Sequence, residues 1–268
     1  MKKWENLKAR NLAAELGNFL AYSIDFPIEN LNIEEIYHVS SLLLLSAGIK
    51  HVDYDRSEFE PSLGWCFYAD QFQEHQEKLE QLVIDSLTRF LFVWSSFEAA
   101  VNIFIPQNVY QAPNGKINKA CAYLKMEFEP RSVSEAYKTR LAELYNLAKS
   151  DADYSDYLKM KNAESHIGIS GYGISSVYSI RNSLAHGSLG IPISKEEDED
   201  FKDIQLIDCC TYIVLYTLQM IFTAFFSRYT DTVSWGGEDV EFEFLMKVIH
   251  RDICISEFDD FQKELSIT

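Results

Sequence analysis

Apolar residues recur along this chain at spacings of three and four rather than two. Leu12, Leu16, Phe19, Leu20 and Ile24 predict a helix over 11–24, and a second is expected over 33–47, with Gly48 as its stop. The aromatic stretch from His51 to Ala69 has no period and is expected to be a structured loop. From about 72 to 104, Val83, Leu87, Phe90, Trp94, Phe97, Val101 and Phe104 step at helical intervals until Pro106 ends the run. After the loop "PQNVYQAPNGK", short helices are expected over 117–125 and from a Ser132/Glu135 capping box to about 149. Residues 150–163 are polar and read as helix or lid. A helix follows over 174–186, and another from a Ser194/Glu197 capping box to Arg228. In the tail, "SWGGED" reads as a turn, "VEFEF" alternates like a strand and "FLMKVIHRD" reads as helix.

The pattern predicts an all-α fold. Its core helices are 72–104, 174–186 and 197–228, in a bundle at 72–230. Residues 1–71 are expected to add an N-terminal helical cap and 231–268 a short C-terminal extension packed on the bundle. A hydrophobic content of 47% with only eleven glycines and six prolines agrees with long uninterrupted helices.

Charge narrows the partners. A net charge of −17 repels polyanions unless a local basic cleft overrides it, so any nucleic-acid binding is expected to be local and salt-sensitive. Five cysteines without a CxxC pair read as neither a disulfide framework nor a zinc site. With an N-terminus unlike a signal peptide, they suggest a reducing, cytoplasmic setting. The run from Leu206 to Phe226 has the length of a membrane span, but Asp208, Gln219 and three threonines favour a buried bundle helix, and no membrane partner is expected.

One segment stands out chemically. In the helix expected over 174–186, which runs into "SIRNSLAHGSLG", Ile174, Val177, Tyr178, Leu184 and Ala185 form an apolar stripe with Arg181 near its middle and Asn182 at its edge. His186 lies about 140° away from Arg181 at roughly 100° per residue, so the two share no face of one regular helix. Distortion at Gly187 or a second subunit would have to bring them together. A buried arginine needs a partner. Glu98, on the apolar face of "WSSFEAAVN" with Leu91, Trp94, Val101 and Ile105, is the expected one. Losing Arg181 should then also lower stability. Without further context, a core ion pair and a capping histidine would explain both residues.

"RNSLAHG" resembles the R-x4-6-H signature of the HEPN superfamily, through Arg181, the following polar Asn182, and His186. "WSSFEAAV" is similar to the corresponding helix of the Apea-like HEPN branch, and the resemblance spans roughly residues 80–228. It implies a HEPN-like helical bundle that dimerises around the motif. It also implies a metal-independent endoribonuclease, often of antiviral or toxin–antitoxin systems, although some members only bind.

The residue types suit such chemistry. RNA carries its own nucleophile in the 2′-hydroxyl, and imidazole exchanges protons near neutral pH. A guanidinium can hold the phosphate and stabilise the charge that grows on it. Two subunits would supply two histidines, one as base and one as acid. Asn182 could bind the phosphate or orient the imidazole, and Tyr172 and Tyr178 could stack a base. The expected partners are an RNA substrate, a second copy of the chain and a regulatory or antitoxin protein, with no cofactor.

Other signals are weaker. The remaining histidines lack metal-ligand spacing, so no metal is expected, and His166 reads as a surface loop residue. "GISGYG" lacks the ending of a phosphate-binding loop and reads as flexible entry to the motif helix. Two alternatives to the nuclease remain: a non-catalytic HEPN module binding a partner protein or nucleotide, which the acidic charge favours, and a helical scaffold without a site.

Overall fold

In the computed structural model, the residues described are 3–23, 32–55, 67–106, 110, 112–129, 133–148, 163–186, 202–228, 232–235 and 238–241. The fold is all-α. Seven helices appear among these residues: α1 (Lys3–Ser23), α2 (Ile33–Gly48), α3 (Phe67–Phe104), α4 (Lys116–Glu127), α5 (Glu135–Ala148), α6 (Ile169–Ala185) and α7 (Lys202–Phe226). One short antiparallel pair follows, β1 (Thr232–Trp235) and β2 (Glu238–Glu241), with Val233 opposite Val240. The Ser194/Glu197 box, the segment 150–162 and "FLMKVIHRD" lie outside the described residues.

Helix α7 is the axis. Its side chains from Leu206 to Phe226 are buried, Asp208 partly, as a helix apolar on every side must be. It is the one described helix long and apolar enough to cross a bilayer, and its apolar window lies entirely inside the protein. Its buried threonines return their hydroxyls to the carbonyls four residues back: Thr211 to Ile207 (3.0 Å), Thr217 to Ile213 (2.7 Å) and Thr223 to Gln219 (2.8 Å). That bonding removes the cost of burying them. Helices α1, α3, α5 and α6 pack around α7, and α2 packs on α1 and α3.

The core is continuous from α1 to α7. Phe19 meets Phe226 edge-on at 5.2 Å, and Phe104 meets Phe225 at 5.0 Å, so aromatic contacts tie α1 and α3 to the end of α7. Helix α3 runs unbroken through residue 72, where the sequence suggested a boundary, and it starts at Phe67, inside the stretch read as loop.

The helix ends differ from their expected form in three places. Gly48 is the last residue of α2, and Ile49, in extended conformation, caps it through its N–H to the Leu45 carbonyl. Ser134 caps α5, its Oγ accepting the Tyr137 N–H at 3.2 Å, whereas Ser132 of the expected box lies outside the described residues. The glycines of "GISGYG" are not a flexible entry. Gly171 and Gly173 are buried within α6. A Cβ on Gly171 would meet that of Cys121 at 3.1 Å, and one on Gly173 would meet Ile213 Cγ2 at 2.6 Å and the Tyr137 hydroxyl at 2.8 Å. These glycines let α6 approach α4, α5 and α7 closely. The Tyr137 hydroxyl uses that closeness, accepting the Gly173 N–H at 2.9 Å while lying 3.1 Å from the carbonyls of Ile169 and Ser170. At the start of α6 the Glu129 carboxylate accepts from Ser170 Oγ at 3.3 Å.

Candidate functional site

Residues 181–186, "RNSLAH", occupy the last turns of α6 and its C-cap. Helix α6 stays regular through Ala185, so Arg181 and His186 keep the angular separation that the sequence predicts, and one chain does not turn both toward one atom. His186 is exposed and caps α6 through its backbone N–H, which reaches the Asn182 carbonyl at 3.0 Å. Gly187, the expected point of distortion, lies outside the described residues.

Arg181 departs from expectation. It is half-buried rather than buried, and it forms no ion pair with Glu98. Its Nη1 donates to Asn182 Oδ1 at 3.3 Å, and its guanidinium lies 5.9 Å from the centroid of Trp94. Trp94 stands between the expected partners. Its Nε1 donates to Glu98 Oε1 at 3.0 Å, one turn along α3. A buried indole N–H requires an acceptor, and the i,i+4 spacing supplies Glu98 locally. Partial exposure to water spares Arg181 the need for a carboxylate. Asn182 thus holds the guanidinium and not the imidazole.

Tyr178 completes the group, its ring stacked on Trp94 with centroids 6.3 Å apart and planes 14° apart. Tyr172 does not join it; half-buried, it packs against the hydrophobic core. A cleft of about 300 Å³ opens beside Tyr178, with Glu98, Lys116, Asn118, Glu164 and Ser175 among its walls. His166 is buried there and not on the surface. Its Nε2 lies 3.2 Å from Asn118 Oδ1 and its Nδ1 3.7 Å from Glu164 Oε2. Lys125 Nζ pins the turn that carries it by donating to the Ser165 carbonyl at 2.6 Å.

The buried arginine is a different one. Arg89 of α3, only 7% exposed, donates to Ser86 Oγ at 3.3 Å. Burial lowers its pKa, and the carboxylates of Asp208 and Asp85 oppose that shift. Asp85 also accepts from the Val52 N–H at 2.9 Å and Gln81 Nε2 at 3.0 Å, and pairs with His51 Nδ1 at 3.3 Å. Glu80 takes the Tyr54 hydroxyl and Gln76 Nε2. These carboxylates fasten residues 51–54 to α3, and Asp85 with His51, Tyr54 and Gln81 lines a second cleft of about 620 Å³. Among the described residues no group of three His, Cys, Asp or Glu side chains is arranged to hold a metal ion.

Sequence reasoning missed Trp94 as the bridge, because a tryptophan at helical spacing reads as ordinary core. It missed His166 because nothing in a loop sequence signals burial. The one local signal, tryptophan and glutamate four apart in "WSSFE", points to their hydrogen bond. Compared with protein-family models, with curated proteins and with solved structures, the chain matches none.

Proposed function

We propose that this protein is a metal-independent endoribonuclease of the HEPN type, with Arg181, Asn182 and His186 as its reacting group. The observation that carries the reading is the state of Arg181: among the described residues its charge is neutralised by no carboxylate, and Asn182 and the Trp94 face orient it. A guanidinium held in this way keeps its charge for an incoming phosphate.

His186 supplies the proton transfer. The RNA 2′-hydroxyl attacks the adjacent phosphorus as an imidazole takes its proton, the bond to the 5′-oxygen breaks, and a second imidazole protonates that oxygen. Because Arg181 and His186 diverge on α6, the second histidine comes from another copy of the chain in a homodimer. The products are a 2′,3′-cyclic phosphate and a 5′-hydroxyl. The resemblance places such an activity in antiviral defence or a toxin–antitoxin pair, with a regulatory protein as partner. The net charge of −17 favours a second reading, a non-catalytic module that binds a protein or nucleotide.

The test is incubation of the pure protein with tRNA and mRNA in EDTA. Cleavage is expected to fall about 10²–10⁴-fold in His186→Ala, through loss of proton transfer, and to fall also in Arg181→Ala, with both variants folded. RNA carrying 2′-deoxy at the scissile position should resist. Cutting of that substrate, or a requirement for magnesium, overturns the mechanism. A monomer by light scattering that remains active overturns the shared site.

A further inference from the structure

We infer that the cleft beside Tyr178 is a pocket for one guanine nucleotide unit. The inference deepens the ribonuclease reading and rests on it for the position of the scissile phosphate; the pocket itself is argued from its walls.

The walls divide by chemistry. Gly115 begins α4 with φ 124° and no side chain to cap it. The backbone N–H groups of Lys116, Ile117 and Asn118 therefore have no acceptor among the described residues, and the Lys116 side chain adds a positive charge at the same end. A helix start in this state suits a phosphate. On α6, Ser175 is 5% exposed and lines the cleft, yet its hydroxyl has no hydrogen-bond partner among the described residues. The Oγ of this mostly buried residue opens onto the cleft and can donate to a ligand there. Tyr178 provides an aromatic wall, its ring already supported by Trp94. On α3, Glu98 has given Oε1 to the indole, while Oε2 has no hydrogen-bond partner among the described residues.

A mononucleotide matches this order: phosphate at the start of α4, base on Tyr178, and the base edge on Glu98. A carboxylate accepts and does not donate. Guanine alone among the RNA bases offers two adjacent donors, N1–H and the N2 amino group, to one carboxylate. Uracil presents its single N–H between two carbonyls that Glu98 repels, and adenine and cytosine each offer only an amino group. The volume of about 300 Å³ lies at the lower end of small-ligand pockets, which suits one nucleotide rather than a longer segment. Arg181 lies one turn beyond Tyr178 on α6 and touches the same indole, so a base seated here sits next to the arginine proposed to hold the scissile phosphate.

The test titrates the full chain, in EDTA, with GMP, AMP, CMP and UMP, followed by calorimetry and tryptophan fluorescence. GMP is expected to bind at least about tenfold more tightly than the others. Glu98→Gln keeps an acceptor for the Trp94 N–H and so should fold, but it should erase the preference; Tyr178→Ala should weaken all four. Equal binding of the four, no binding of GMP, or an unchanged preference in Glu98→Gln overturns the pocket. The trinucleotide ApGpA identifies the source: binding as tight as GMP marks an RNA strand, and binding confined to GMP marks a free nucleotide. Mapping cuts in RNA separates the two proposals. Cleavage beside guanosine that Glu98→Gln randomises supports both. GMP selectivity without cleavage keeps the pocket and removes the nuclease. Cleavage without base preference and without GMP binding does the reverse.

Discussion

Replacing Gly173 by alanine should destabilise the protein, although alanine is the better helix former. Position 173 is inside α6, where the exchange alone gains about 1 kcal/mol. Packing opposes it. The new methyl would stand 2.6 Å from Ile213 Cγ2 and 2.8 Å from the Tyr137 oxygen, both on fully buried side chains. Overpacking of this kind costs about 1–3 kcal/mol. Displacing the Tyr137 hydroxyl loses its 2.9 Å bond from the Gly173 N–H, a further 0.5–1.5 kcal/mol or about that. The net is a loss of about 1–3 kcal/mol, which lowers a urea midpoint by roughly 0.5–1 M. Equilibrium unfolding followed by circular dichroism reads this directly. Gly48→Ala is the control, because no atom lies within 4 Å of its Cβ, and it should lose nothing. Ile213→Ala removes the clashing methyl, so the double variant should be more stable than the sum of the single losses by more than about 0.5 kcal/mol. A Gly173→Ala midpoint at or above that of the parent refutes the argument, since α6 would then shift without cost and its glycines would have no packing role.

The two arginines should separate cleanly in unfolding experiments. Arg89→Ala removes a guanidinium that is only 7% exposed and should cost more than Arg181→Ala, which should cost under about 1 kcal/mol. The reverse order would make Arg181 the arginine that the core depends on after all. Thiol titration tests the interior: burial pushes the Cys121 thiol up to about 12 and holds Cys209 and Cys210 above the usual range. These three should resist an aromatic disulfide reagent in the native protein and react once it is unfolded in guanidinium. Rapid reaction of Cys121 in the native state would contradict the close contact of α4 with α6.

Helix positions and the burial of α7 were legible in the sequence because both follow from local period. A helix with apolar residues on every side has one stable place in a folded bundle, and its threonines satisfy themselves within their own helix. The isolation of His186 from Arg181 was legible for the same reason, since angular separation along a regular helix depends only on sequence spacing. The partner of Arg181 was not. Periodicity placed it on an apolar stripe, but how far a stripe sinks depends on what packs above it, and the chain sinks Arg89 and leaves Arg181 half in water. Trp94 took the carboxylate that the arginine was expected to claim, because a neighbour one turn away meets an indole N–H at less entropic cost than a group on another helix. The glycines of "GISGYG" have one composition and two meanings, flexible loop or close contact. Only the presence of Ile213, Tyr137 and Cys121 from three other helices decided for contact. The cleft is likewise a product of assembly, since α3, α4 and α6 are separate elements and each contributes a different chemistry to one small volume.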